Sequence, residues 1–250
     1  MATQNADRVR ALIEAVNTGD GKQALSFFHP DIVHHDPFTP AGAENFRQHI
    51  VALAAKRPQV RVVRMLEDGE MVMAQLGSEQ AAQDRFAVYR FEDGKIAEQW
   101  AFFSPTAPPN QSEHTQLDGP TEPQHLDSTE ANKTFVREYY QAFHLAGDRT
   151  HNDEFFTGDV MIRHEPGVQD GLGNFLHDVE HLMQHRTIDQ IKLLIGQGDL
   201  VFLAATGTHE GKPCLYIDLY RVENRKLVEH WGFPQMVPLD AERLNSTPML

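Results

Sequence analysis

The sequence predicts an α+β fold built twice in tandem, and three observations carry that prediction. First, Tyr89-Arg90-Phe91-Glu92-Asp93-Gly94-Lys95-Ile96-Ala97-Glu98-Gln99-Trp100 returns as Tyr220-Arg221-Val222-Glu223-Asn224-Arg225-Lys226-Leu227-Val228-Glu229-His230-Trp231. Second, His35-Asp36-Pro37 with Gly42 and Asn45-Phe46 is matched by His164-Glu165-Pro166 with Gly171 and Asn174-Phe175 at the same internal spacings. Third, each half places helix-period residues first and strand-like segments last, the order expected of helices packed on an antiparallel sheet.

The elements follow in order. Val9, Leu12, Ile13 and Val16 stand at the i, i+3, i+4, i+7 spacing of one helix face and stop at Gly19. Phe135, Tyr139, Tyr140 and Phe143, ended by Gly147, are the counterpart. A short phenylalanine-bearing helix is expected next, at Ala24 to Phe28 and at Asp153 to Phe156, then a short strand ending in the histidine-acid-proline triplet. A third helix is expected over about Ala43 to Ala55 and Leu172 to His185. The β-rich segments after it are broken at Glu67-Asp68-Gly69, Glu92-Asp93-Gly94, Gly196-Gln197-Gly198 and Glu210-Gly211. Between the copies, proline, glycine, serine and charge without an apolar period read as a surface linker. The expected division is a first domain over 1–104, a linker over 105–128 and a second domain over 129–250.

Composition bounds the function. With 250 residues, 40% of them hydrophobic, the chain can form two ordinary cores. A formal charge of -14 opposes contact with nucleic acid and anionic membrane surfaces. The start, Met1 to Asp7, is polar and no run approaches the ~20 apolar residues of a membrane span, so a cytoplasmic protein is expected. Cys214, the single cysteine, excludes an internal disulfide and reads as a small buried hydrophobe. The sequons at Asn110, Asn132 and Asn245 carry no meaning without secretion. Gly171-Leu172-Gly173 lacks the third glycine of a dinucleotide loop, and no cofactor is expected.

The paired strands ending in glutamate, glutamine or histidine, and tryptophan, together with the histidine-acid-proline strand, resemble the SnoaL-like branch of the nuclear transport factor 2-like superfamily. The likeness spans essentially the whole chain, down to the segment from Thr115 to Lys133. It implies cone-shaped domains, each a curved sheet and about three helices around one apolar pocket. Such pockets serve polyketide cyclisation, isomerisation, dehydration, epoxide opening or binding alone, and the fold does not choose among them.

The two copies differ where chemistry would sit. Alternation puts His164 on the face of Ile162 and His35 on that of Val33, so both are expected to point inward, as acid-base groups near pKa 6.5 or as satisfied core histidines. Close relatives usually carry after the tryptophan an aspartate that resembles the cyclases' general base; here Ala101 and Gly232 stand there. Gln99 and His230 share that face. A second family aspartate is kept as Asp218, between Tyr216 and Tyr220, but is Ala87 in the first copy. Its alternatives are a base or orienting group of raised pKa, or a carboxylate satisfied across the sheet. Asp36 and Glu165, before prolines, read as structural. The expected catalytic residues are therefore His164, Asp218 and His230, with Tyr216, Tyr220, Trp231, His35 and Trp100 as ligand-binding side chains. His177, His181 and His185, at i, i+4, i+8, interleave with an apolar face and belong on its solvated edge, so no metal site is expected. His209, in a hairpin turn, either lines the cavity mouth or meets water, and water is the reading preferred.

The function expected is a cofactor-free acid-base enzyme, of aldol cyclase, isomerase or dehydratase type, acting in the second domain on a small apolar carbonyl compound. The alternative is a binding module that has lost the base. The first domain, a degenerate copy, would serve as a built-in pairing partner, with a homodimer of chains also open.

Overall fold

Val9, Leu12, Ile13 and Val16 are buried on one face of α1 (Gln4–Thr18), as their spacing requires. The computed structural model to which this helix belongs describes residues 4–78 and 83–250; residues 1–3 of the polar chain start lie outside them. Helix α2 (Gly21–Ser26) starts at Asp20, whose carboxylate accepts from Gln23 N at 2.8 Å. It ends before Phe28, which was expected inside the helix but already pairs with Ile96 at the start of β1 (Phe28–His34). Sheet pairing beyond the reach of a local signal sets that boundary. Then come α3 (Ala43–Ala55) and the meander β2 (Arg61–Asp68), β3 (Met71–Ser78), β4 (Gln83–Glu92) and β5 (Lys95–Pro105). The sheet order is β1-β5-β4-β3-β2, with β1 parallel to β5 and the rest antiparallel.

The second set repeats this plan: α4 (Thr129–Tyr139), α5 (Asn152–Phe155), β6 (Ile162–Arg163), α6 (Leu172–Met183), β7 (Arg186–Gln197), β8 (Leu200–His209), β9 (Lys212–Glu223) and β10 (Lys226–Met236), in sheet order β6-β10-β9-β8-β7. One departure is local. Helix α4 runs on into a single π turn, Tyr140–Leu145. A π turn adds one residue, which is why Gly147 stands one position farther from Tyr139 than Gly19 does from Leu12.

The chain forms two compact units, Met1–Pro105 with Pro238–Leu250, and Thr106–Val237. The expected boundaries, 105–128 as a linker and 129–250 as the second domain, differ from this at both ends. Residues 106–128 lie within the second unit, and residues 238–250 return to the first. Each segment is a strap fastened by a buried asparagine rather than by apolar periodicity. Asn110 Nδ2 donates to Arg163 O at 2.7 Å, and its Oδ1 accepts from Ser112 N and His114 N at 2.9 and 3.0 Å. Asn245 Nδ2 donates to His34 O and Asp36 O at 2.9 and 3.2 Å, and its Oδ1 accepts from Thr247 N at 2.9 Å. A buried amide with these bonds is costly to remove, so each strap is pinned. No helix among the described residues is long and apolar enough to cross a membrane.

Candidate functional site

The residues that repeat between the copies build the strap-covered face of each sheet. In the second unit His164 stacks on Trp231, ring centroids 4.4 Å apart and 7° from parallel. Its Nε2 lies 2.8 Å from Glu229 Oε1, and Nδ1 donates to Thr115 O of the strap at 2.9 Å. Glu229 Oε2 takes Arg221 Nε at 2.6 Å, and Trp231 Nε1 donates to Asp118 O at 3.0 Å. Burial would raise the Glu229 pKa, but His164 and Arg221 together hold it below the usual range. A Cβ at Gly119, whose φ is +92°, would sit 2.6 Å from the Trp231 ring, so the strap can pass there only as glycine. The first unit has the same set: His35 stacks on Trp100 at 4.7 Å and 7°, meets Glu98 Oε1 at 2.9 Å and Pro248 O of the tail, and Arg90 Nε reaches Glu98 Oε2 at 2.9 Å.

Both histidines were expected to point into the domain, and the structure corrects this. The alternation holds, since His164 and Trp231 share a face, but that face is the strap side. It is Arg163 that faces helix α6, with Nη1 2.5 Å from Asp178 Oδ2 and its guanidinium over Phe175, while His34 stacks on Phe46 of α3. Because straps bury the other side, apolar neighbours could not tell inward from outward.

The helix-facing side of the second sheet holds the residues that differ between the copies. Asp218 on β9 and Gly232 on β10 are paired in register. His230 Nε2 donates to Asp218 Oδ1 at 2.9 Å, its Nδ1 donates to Glu165 Oε1 at 2.8 Å, and its ring stacks on Tyr220 at 4.6 Å. Tyr140, the first residue of the π turn, donates its hydroxyl to Asp218 Oδ2 at 3.1 Å. Burial alone would lower the His230 pKa, but the Glu165 and Asp218 carboxylates outweigh it and raise it to about 9. Glu165 experiences the reverse: burial would raise it, yet His230 and Arg163 bring it to about 2. His230 is thus an imidazolium at neutral pH, not the neutral imidazole that unperturbed chemistry suggests. Burial, with Asp218 adding to it, pushes the Tyr140 hydroxyl pKa well up and keeps it a neutral donor.

Asp218 and His230 take up the space beside Gly232. A Cβ there would stand 2.7 Å from Asp218 Oδ1 and 2.8 Å from His230 Cε1. In the first unit the corresponding pair is Ala87 and Ala101, also in register, with Gln99 on the same face of β5.

Asp218, His230, Tyr216 and Tyr220 therefore share one face. His164, Trp231, His35 and Trp100 belong to the strap-side networks, so His164 does not converge with Asp218 and His230. Glu165, read as structural, and Tyr140, read only as helix core, join the site. Glu165 follows the strand β6 and turns back toward His230, which strand alternation alone does not reveal. His177, His181 and His185 are exposed, and no cluster of metal-ligating groups is found among the described residues. A cleft of about 320 Å³ between His125, Asn132 and Arg225 includes none of the Asp218–His230 group.

Comparison with known proteins adds the family. The model for the SnoaL-like domain matches residues 9–99. A nuclear transport factor 2-like protein of unknown function from Cytophaga hutchinsonii is 21% identical, over 42% of this chain and 93% of its own, with a TM-score of 0.36. IdmH, a candidate polyketide cyclase from Streptomyces antibioticus, is 19% identical over 42% and 91%, TM-score 0.36. A candidate ketosteroid isomerase from Kribbella flavida is 10% identical over 45% and 83%, TM-score 0.38. A search of curated proteins gives no match.

Proposed function

Since residues 9–99 are a SnoaL-like domain and the following unit repeats its strand order, we propose that the second unit is an acid-base enzyme acting on a small carbonyl compound, with Asp218 as base. The carrying observation is the Asp218–Gly232 pair. A side chain at 232 would run into the Asp218 carboxylate, so a base on β9 stands where one on β10 would reach. Asp218 would take a proton from the carbon α to the carbonyl and become a carboxylic acid. The enolate oxygen would accept from His230 Nε2–H or the Tyr140 hydroxyl, each of which Asp218 holds in the resting state and gives up as that carboxylate takes the carbon's proton. The proton returns at another carbon for isomerisation, or the enolate carbon attacks a second carbonyl for aldol closure. Glu165 acts through His230, holding its charge and orientation.

Asp218→Asn and His230→Gln should each lower turnover of a ketone panel by ~10²–10⁴-fold while the cooperative thermal transition is kept. Gln99→Ala, in the first unit, should leave it unchanged. Equal turnover in the Asp218 variant and the wild type would sink the assignment. A binding module is the second reading, favoured by one observation: both His230 nitrogens are already engaged by carboxylates. In that case an apolar ligand should survive purification, seen by native mass spectrometry, and no ketone should turn over.

A further inference from the structure

The edge of the second sheet carries a guanidinium that forms no ion pair among the described residues, beside a histidine with an unbonded ring nitrogen. Arg186, the first residue of β7, is paired in register with His209 at the end of β8. Both lie on the helix-facing side, in the alternation set of Ile188 on β7 and of Ala205 and Leu203 on β8, which pack in the unit's core. The Arg186 guanidinium lies over the Tyr216 ring at 5.2 Å, and Nη2 is 3.3 Å from His144 Nδ1. Its Nε is buried with no hydrogen-bond partner, and so is Nδ1 of His209. Among the described residues no carboxylate stands within ion-pair distance of Arg186. Arg149, which like Arg186 acts on His144, rests on the Phe143 ring and reaches the Met183 sulfur, with no carboxylate partner among the described residues.

His144 brings no charge to Arg186, because burial, then Arg186 itself, keeps it well below its usual pKa and neutral. Asp218 is already held by His230 and Tyr140. In a chain of formal charge -14, two guanidinium groups without carboxylate partners among the described residues, both acting on His144, are a departure from the general trend. A buried nitrogen donor left unbonded costs about 1–3 kcal/mol, so an acceptor from outside the protein is the natural partner. A carboxylate matches the planar guanidinium fork.

We propose that the second unit's pocket takes small molecules bearing a carboxylate, whose anionic end is received by Arg186 and His209 while the apolar body lies along Tyr216 toward Asp218 and His230. This rests on the reading of the Asp218–His230 face as a ligand pocket and adds the substrate class to it.

The test uses two planar probes of equal shape, 2-naphthoate and 2-naphthamide, titrated by calorimetry into the full chain and its Arg186→Gln and Arg186→Lys variants. The expected result is a Kd for 2-naphthoate weakened at least tenfold by Arg186→Gln and less by Arg186→Lys, with that for 2-naphthamide changed less than twofold. The neutral probe reports that the pocket still forms. Equal binding of 2-naphthoate to wild type and Arg186→Gln overturns the inference, as does loss of both probes together, and a wild type that binds neither removes the pocket itself. If Arg186 governs 2-naphthoate binding while Asp218→Asn turns over ketones like the wild type, the carboxylate subsite stands and the enzyme reading falls.

Discussion

Asp218 and His230 stand out because the two copies can be read against each other: one carries Asp, His and Gly where the other carries Ala, Gln and Ala. That comparison needed no structure. What it could not supply is charge. The pKa of His230 is raised from 6.5 to about 9, so its contribution to stability is complete below pH 6.5 and is lost as pH rises through 9. Glu165, brought from 4.5 to about 2, contributes above pH 4.5 and loses its part as pH falls toward 2. The pair should therefore be most stabilising between those limits, and the His230 ring resonances should titrate near pH 9 by NMR. In Glu165→Gln the midpoint should move down; a His230 midpoint that stays near 9 would refute the pairing. Gly232→Ala should weaken turnover as well, because its Cβ meets both partners of the hydrogen bond.

At the scale of elements, helices and strands were legible from period and turn residues to within a few positions, down to α3 at Ala43–Ala55. The straps were not. Residues 106–128 and 238–250 have no apolar period, and they are held by asparagine-to-carbonyl hydrogen bonds that only the folded backbone presents. The same gap misdirected His164 and His35, since a strand with both faces covered gives alternation without a direction. Asn245→Ala removes a buried amide with three bonds and should cost about 1–3 kcal/mol in denaturant unfolding, with Asn110→Ala similar. His164→Gln should lower stability and leave turnover close to that of the wild type, because its ring packs on Trp231 behind the sheet. A His164 variant of unchanged stability and abolished turnover would restore the expectation drawn from its sequence position. Tyr140 stands where helix α4 gives way to the π turn, and its hydroxyl meets Asp218 across the unit, a contact that helix period alone does not reveal.

For the whole molecule, the two copies share what fastens the straps and differ at the residues of the proposed chemistry. What both copies keep, histidine on tryptophan with glutamate and arginine, fastens a strap to each sheet. What only the second keeps is a carboxylate and an imidazolium under a position with no side chain. The fold was legible because its pattern occurs twice, and the candidate site was legible in part because the first copy carries Ala87, Gln99 and Ala101 at its positions. The most direct test is proton-deuterium exchange at the carbon α to the carbonyl, followed by NMR for a ketone panel in D₂O. Exchange above the buffer rate in the wild type and in Gln99→Ala, absent in Asp218→Asn, is the predicted result. Exchange at equal rates in the wild type and Asp218→Asn would contradict Asp218 as the base.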